Sequence, residues 1–223
     1  MDGLLWKTPL PSGLSCPVLF GDQIFLTGYE KNRLVTLALD GKSGKVIWKK
    51  NAPKVEIERF HASGSPATPT PFVERDRLFV YFGSFGLLCY DHEGKELWNK
   101  PLTTPRSLYG TSCSPIAYGE MLILVTDDDA NLPDSKVSRS RILALSKKNG
   151  RALWERHRPF HRSGWSTPTL AKGSQGMELV VLGNGSLRGY SLPDGEEKWQ
   201  VDGFSRETIA RPMTGNGKVY ASG

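Results

Sequence analysis

The chain has 223 residues, 38% of them hydrophobic, enough for one or two ordinary domains with a sizeable core. Its 29 basic and 23 acidic residues leave a formal charge of +6, without the contiguous basic stripe and interleaved aromatics of a nucleic-acid surface. No run of 18 apolar residues occurs, which excludes a membrane-spanning helix within these residues, and the three isolated cysteines (Cys16, Cys89, Cys113) make no disulfide framework.

The first residues, Met1-Asp2-Gly3-Leu4-Leu5-Trp6-Lys7, lack the basic, apolar and small-residue parts of a signal peptide. Instead, Leu4-Leu5-Trp6-Lys7 matches a strand that returns at Val46-Ile47-Trp48-Lys49. A short strand is expected at Val18-Leu19-Phe20, then the turn Gly21-Asp22-Gln23, then strands at Ile24 to Leu26 and Leu34 to Leu39. The turn Asp40 to Lys45 leads into a fourth strand carrying Trp48. A second unit repeats this order with Leu78 to Phe82, Leu87 to Tyr90 and Glu96 to Trp98. The third has Met121 to Val125, a long polar insertion from Asp127 to Arg141, then Ile142 to Leu145 and Ala152 to Trp154. The fourth has Glu178 to Leu182, the hairpin dipeptide Asn184-Gly185, Leu187 to Tyr190 and Lys198-Trp199. A fifth unit starts at Arg211-Pro212.

One spacing runs through these units. Gly44/Trp48, Gly94/Trp98, Gly150/Trp154 and Gly195/Trp199 each place a glycine four residues before a tryptophan, at Trp-to-Trp steps of 50, 56 and 45. A fixed internal spacing inside a loose period marks tandem supersecondary units joined by variable loops. A proline heads each unit, in Cys16-Pro17, Thr70-Pro71, Ser114-Pro115, Thr167-Pro168 and Arg211-Pro212, where its missing N–H suits the start of a strand. Four antiparallel strands per repeat with no helical periodicity predict an all-β propeller of four-stranded blades. The expected blades are 15–50, 63–100, 112–156 and 165–201, with 210–223 opening a further one, in a single domain.

The turn glycine permits positive φ, and Asp40, Asp91, Ser146 and Ser191 are placed to bond their own turn backbone. Two residues before each lies a small side chain, Ala38, Cys89, Ala144 or Gly189, which leaves room for a large ring. The tryptophan has two places to go: across the boundary to a neighbouring blade, or into the core of its own. Either burial removes on the order of 200 Å² from water. In both cases the motif is packing chemistry.

Ala38-x-Asp40-x-x-x-Gly44-Lys45-x-x-Trp48 resembles the tryptophan-docking repeat of quinoprotein-type (PQQ-like) β-propellers. The third copy departs from it at Ser146 and Arg151, the fourth at Gly189, Ser191 and Glu196, and the second turn is one residue shorter. The chain resembles most closely the non-enzymatic members, which include the outer-membrane protein assembly factor and many bacterial repeat proteins; the stretches Ala67 to Pro71 and Tyr81 to Gly86 look like those repeat proteins. The resemblance implies a binding or assembly scaffold outside the bacterial cytoplasm, with a protein, peptide or small ligand at the channel mouth. Family propellers have seven or eight blades, so it also implies a fragment, expected alone to aggregate or to unfold with poor cooperativity. The enzymatic branch implies the alternative, a dehydrogenase using pyrroloquinoline quinone and Ca²⁺ with active-site residues in missing blades. The adjacent disulfide-linked cysteines common in that branch do not occur here.

No catalytic constellation is legible. His157 and His161 are four apart, but Pro159 between them rules out the helix that would give the spacing meaning as a zinc motif. The acidic run Asp127-Asp128-Asp129 and the basic run Arg156 to Arg162 both read as solvated loops. Binding residues are expected at the strand entrances around the channel: Ser15, His61, Thr68, Ser114, Trp165, Thr167 and Arg211. Trp165 stands apart because it precedes a strand instead of closing a repeat; it is a candidate stacking surface or a piece of blade-edge packing.

Overall fold

The pattern of short apolar runs between turn residues becomes eighteen strands, with no helix among the described residues. A computed structural model of the chain describes residues 3–130, 139–159, 161–174 and 176–223. Within the expected polar insertion, residues 131–138 lie outside these, as does Phe160 of the basic run.

Two compact units divide the chain. Unit 1 (Met1–Thr104, Tyr109–Thr111) contains two four-stranded sheets. The first is β1 (Val18–Phe20), β2 (Gln23–Glu30), β3 (Arg33–Asp40) and β4 (Val46–Asn51); the second is β5 (Phe72–Val73), β6 (Leu78–Phe82), β7 (Gly86–Tyr90) and β8 (Glu96–Pro101). Unit 2 (Pro105–Leu108, Ser112–Gly223) contains β9 (Ile116–Tyr118), β10 (Met121–Thr126), β11 (Arg141–Ser146) and β12 (Ala152–His157) in one sheet. Its second sheet is β13 (Thr169–Gly173), β14 (Gly176–Gly183), β15 (Ser186–Ser191) and β16 (Glu197–Asp202), and a third is β17 (Met213–Gly215) with β18 (Lys218–Tyr220). Every sheet is an antiparallel meander in sequence order, as a propeller blade requires.

All five unit-opening prolines directly precede a first strand: Pro17 before β1, Pro71 before β5, Pro115 before β9, Pro168 before β13 and Pro212 before β17. One strand outruns its expectation. β2 continues to Glu30 because Lys31 and Asn32 both take positive φ (46° and 60°), making a two-residue turn in which Glu30 pairs with Arg33. The expected Asn184-Gly185 hairpin forms with φ of 52° and 81°, closing Gly183 onto Ser186.

Burial follows strand position. The two central strands of each four-stranded sheet are mostly buried, whereas β4, β8, β12 and β16 are exposed along most of their length, with the tryptophan half-buried. The register repeats as well. Trp48, Trp98, Trp154 and Trp199 lie opposite Ala38, Cys89, Ala144 and Gly189, and a register shift follows each of these small residues. That irregularity re-aims the outer strand at the position that carries the ring.

Candidate functional site

The repeated motif comes first, because its geometry removes it from the list of chemical groups. Trp48 of the first sheet donates from Nε1 to the His92 carbonyl in the turn of the second, at 2.7 Å. Trp6 makes the same bond to Gly41 O (3.1 Å), and Trp154 to Leu192 O (2.9 Å). In each case the acceptor is the residue just after the turn Asp or Ser. Of the two placements open from the sequence, these three rings take the boundary. The turn glycine lies under the ring: a Cβ on Gly44, Gly94 or Gly195 would sit 2.2, 2.7 or 2.5 Å from the indole of Trp6, Trp48 or Trp154. All three have φ between 69° and 80°, so glycine is required there twice over. Leu4-Leu5-Trp6-Lys7, expected to be a strand, pairs with none among the described residues, yet its indole docks like the others.

The turn polar groups behave as expected. Asp40 accepts from Ser43 N–H (2.7 Å) and Ser43 Oγ (2.6 Å), which hold its carboxyl below the usual range, and Asp91 accepts from Glu93 and Lys95 N–H. Trp199 differs: its Nε1 donates to Glu178 Oε2 of its own sheet, at 2.7 Å.

The strand entrances join one sheet to the next. The N–H of Cys16 donates to Thr70 Oγ1 (3.0 Å) in unit 1, and the N–H of Ser114 to Thr167 Oγ1 (3.1 Å) in unit 2. Donor and acceptor each stand directly before the proline that opens a unit. Ser112 Oγ donates to the Trp165 carbonyl (3.1 Å) and Ser166 Oγ to the Ala210 carbonyl (2.9 Å). Thus Ser114 and Thr167, two of the expected site residues, do meet. Ser15 Oγ exchanges hydrogen bonds with Thr27 N–H and O, and Thr68 Oγ1 donates to Ser65 O. His61 is exposed, 2.8 Å from Ser63 Oγ through Nδ1 and edge-on to Tyr109. Trp165 is half-buried and Arg211 exposed.

Two buried polar clusters have no forecast in the sequence. In unit 1, Glu58 is 7% exposed; its Oε2 accepts from Thr111 Oγ1 at 2.7 Å, while Oε1 has no hydrogen-bond partner. Burial pushes this carboxyl up to about 7, against the Thr111 hydroxyl, which lowers it.

In unit 2 the acidic and basic runs meet. Neither is simply a solvated loop, because Asp127, Asp128 and Arg158 are 9%, 6% and 2% exposed. Asp127 follows β10 and Arg158 follows β12, and both strands pair with β11, so the sheet brings the two residues to one end. Arg158 Nε lies 3.2 Å from Asp127 Oδ1, and its guanidinium lies 5.7 Å from the Tyr190 ring centre. Neither the guanidinium nitrogens nor Oδ1 has a well-aligned hydrogen bond. Burial raises Asp127 to about 6, opposed by Arg158, and lowers His161 to about 3 with help from Arg158. Asp129 accepts from Ser163 N–H (2.9 Å) and Oγ, and Ser140 Oγ donates to His161 O at 2.8 Å. This clamp fastens the neck of the insertion to the segment after β12. A hint was available, since both runs directly follow strands that share a partner. Among the described residues, no group of three or more His, Cys, Asp or Glu side chains is gathered to hold a metal ion.

Comparison with known proteins adds the family. The family described as outer membrane protein assembly factor BamB matches residues 31–223. The sequence finds no significant match among curated proteins. Among solved structures, BamB from Moraxella catarrhalis superposes with a TM-score of 0.65 at 16% identity, over 97% of this chain and 59% of that one. A europium-containing methanol dehydrogenase gives 0.65 at 16%, over 90% and 45%, and a quinohemoprotein alcohol dehydrogenase from Comamonas testosteroni 0.64 at 13%, over 94% and 39%. The chain therefore spans less than two thirds of each of these structures, and at such identities the likeness shows the fold. Sheet topology, docking motif and family match agree: the chain belongs to the BamB-like family of PQQ-repeat β-propellers.

Proposed function

We propose that this chain is part of a non-catalytic propeller that serves as a protein- or ligand-binding scaffold in the bacterial cell envelope, outside the cytoplasm. The observation that carries this reading is the use of the strand entrances. Two of their side chains, Thr70 and Thr167, accept sheet-to-sheet hydrogen bonds from the backbone N–H of Cys16 and Ser114, a packing use of positions where a channel enzyme would hold its chemistry. Membership of a family described as an outer membrane protein assembly factor supports a protein partner. No helix among the described residues is long and apolar enough to cross a membrane.

The binding surface we assign is the channel rim of unit 2, with Trp165 as the stacking platform beside Thr167, Ser114 and Arg211; His61 and Thr68 are the rim candidates of unit 1. A photo-crosslinker at position 165, in cells that express the protein natively, should yield a discrete adduct with an envelope protein. Trp165→Ala should abolish binding of the partner so identified while the fold survives. Loss of folding in that variant, or an adduct only with cytoplasmic proteins, rejects the reading.

The likeness to a methanol dehydrogenase and a quinohemoprotein alcohol dehydrogenase favours one alternative, a piece of a pyrroloquinoline-quinone-dependent enzyme with Ca²⁺ whose active-site residues lie in missing blades. Among the described residues no group of three or more His, Cys, Asp or Glu side chains is gathered, so under this alternative the missing blades would hold the quinone and Ca²⁺. Titration with the quinone and Ca²⁺, followed by alcohol-dependent dye reduction, separates the two readings.

A further inference from the structure

The connection from β4 to β5, residues 52–71, is fastened near both ends. At its start Ala52 N–H donates to Leu34 O (2.9 Å), and Arg33 Nη2 donates to Ala52 O (2.9 Å). Towards its end Leu14 N–H donates to Ala67 O (3.1 Å). Between these points Arg59, Phe60, His61 and Ser63 are exposed, with Phe60 edge-on to Tyr29 and His61 edge-on to Tyr109. From Pro53 to Gly64 a single residue is buried, Glu58.

Glu58 is clasped by its backbone and by its side chain. Its N–H donates to Ser84 Oγ (3.0 Å), and Thr111 Oγ1 donates to its Oε2 (2.7 Å). The β6–β7 turn is cut to receive it. Gly83 lacks the positive φ of the turn glycines, yet a Cβ there would sit 2.5 Å from Glu58 Oε1 and 2.2 Å from Thr111 Oγ1. Carboxyl and hydroxyl, not the turn, require that glycine. The socket gives the carboxyl room but no counter-charge. Oε1 has no hydrogen-bond partner, and neither the facing turn, Gly83 to Phe85, nor the facing segment, Tyr109 to Thr111, carries a charged side chain. Tyr109 is the one titratable group on those two pieces, and its ring stands against His61. On the connection itself the charged neighbours Lys54, Glu56 and Arg59 are exposed. A neutral carboxyl therefore suits the socket, and an ionised one does not.

We propose that Glu58 is a proton-operated latch: its neutral carboxyl holds residues 53–64 closed on the Gly83 turn, and its ionisation releases that stretch while the sheets of unit 1 stay folded. In the released stretch the carboxyl meets water and returns to about 4.5, whereas closed it stands at about 7. Opening is therefore favoured as pH rises between these values and gains nothing further above the upper one. Phe60 and His61 leave Tyr29 and Tyr109 with the stretch, so this face of unit 1 changes shape near neutral pH. The latch rests on contacts within unit 1 and stands whether or not the scaffold reading does.

The test is native-state hydrogen exchange on the full chain, corrected for intrinsic rates and repeated in low urea. Protection of the amide at position 58 should fall on the order of fiftyfold from about pH 5 to about pH 8. It should not respond to urea, because a local opening exposes little surface. Amides at the centre of β7 should be better protected and should lose protection as urea is added. Glu58→Gln should abolish the pH dependence at position 58. Thr111→Val removes the hydrogen bond that favours the ionised form, and should carry the fall on to higher pH than in the parent. Equal urea dependence at position 58 and in β7 overturns the proposal, since only global unfolding would then expose the latch. So does a pH dependence that survives Glu58→Gln, or one that levels off at the parent's pH in Thr111→Val. Each of these outcomes leaves the cross-linking result at position 165 unaffected.

Discussion

Glu58 takes an ionisable carboxyl into a space that offers it one hydroxyl, from Thr111. Its carboxyl rises from about 4.5 unfolded to about 7 folded, so between these values the folded state holds a proton that the unfolded state has lost. Stability is therefore full below the lower value and declines as pH rises through the upper one. Replacing the carboxyl by an amide removes that decline. Glu58→Gln should match the parent near pH 5 and exceed it at pH 8 by about 3 kcal/mol, measured by urea unfolding. An unchanged pH slope in the variant would place the dependence elsewhere. Asp127, also raised, adds a decline of the same sign, whereas His161, lowered to about 3, contributes stability that grows as pH rises from there toward 6.5. None of these three was legible in the sequence as buried. Glu58 lies in an irregular connection without periodicity, and Asp127 and His161 belong to charged runs that look solvated until strand register brings them together.

At the scale of the element, the outer strand and the turn it meets act as one joint. Gly94→Ala forces a side chain into φ of 80° and into the Trp48 ring, and should cost about 2–4 kcal/mol in chemical denaturation. Trp48→Phe loses the hydrogen bond to His92 O and part of the ring, and should cost about 1–3 kcal/mol. A cost below a few tenths of a kcal/mol for either would mean that the joint is not under load. The neck of the insertion gives a contrasting case. Arg158→Ala leaves Asp127 as an unpaired buried charge and should cost about 3–5 kcal/mol; pairing Arg158→Met with Asp127→Leu should recover most of that loss. These joints were partly legible. The glycine-tryptophan spacing announces the ring and its turn, but the sequence left open whether the ring crosses a boundary. The acceptor decides it: Trp6, Trp48 and Trp154 find a carbonyl in the next turn, whereas Trp199, with the same register shift as Trp48 and Trp154, finds Glu178 in its own sheet.

Across the molecule every sheet is built from strands consecutive in the chain, so stability is distributed sheet by sheet. The two-stranded sheet of β17 and β18 is almost wholly exposed, while β14 and β15 of the same unit are largely buried. Hydrogen exchange should run at least about a hundredfold faster at Met213–Tyr220 than at the centre of β14; equal protection would refute nearest-neighbour stabilisation here. Blade type and strand count were legible at this scale because periodicity survives any change in the loops. Partner identity was not, since the residues that differ between copies are shared out between stitching and packing. One further consequence concerns descent. At three joints a tryptophan peg meets the glycine socket of the turn that follows: Trp6 with Gly44, Trp48 with Gly94 and Trp154 with Gly195. Duplicating or deleting a whole repeat between such joints keeps peg and socket matched at each of them. A lineage of such chains is free to change in length by whole repeats, while slippage within a repeat is selected against.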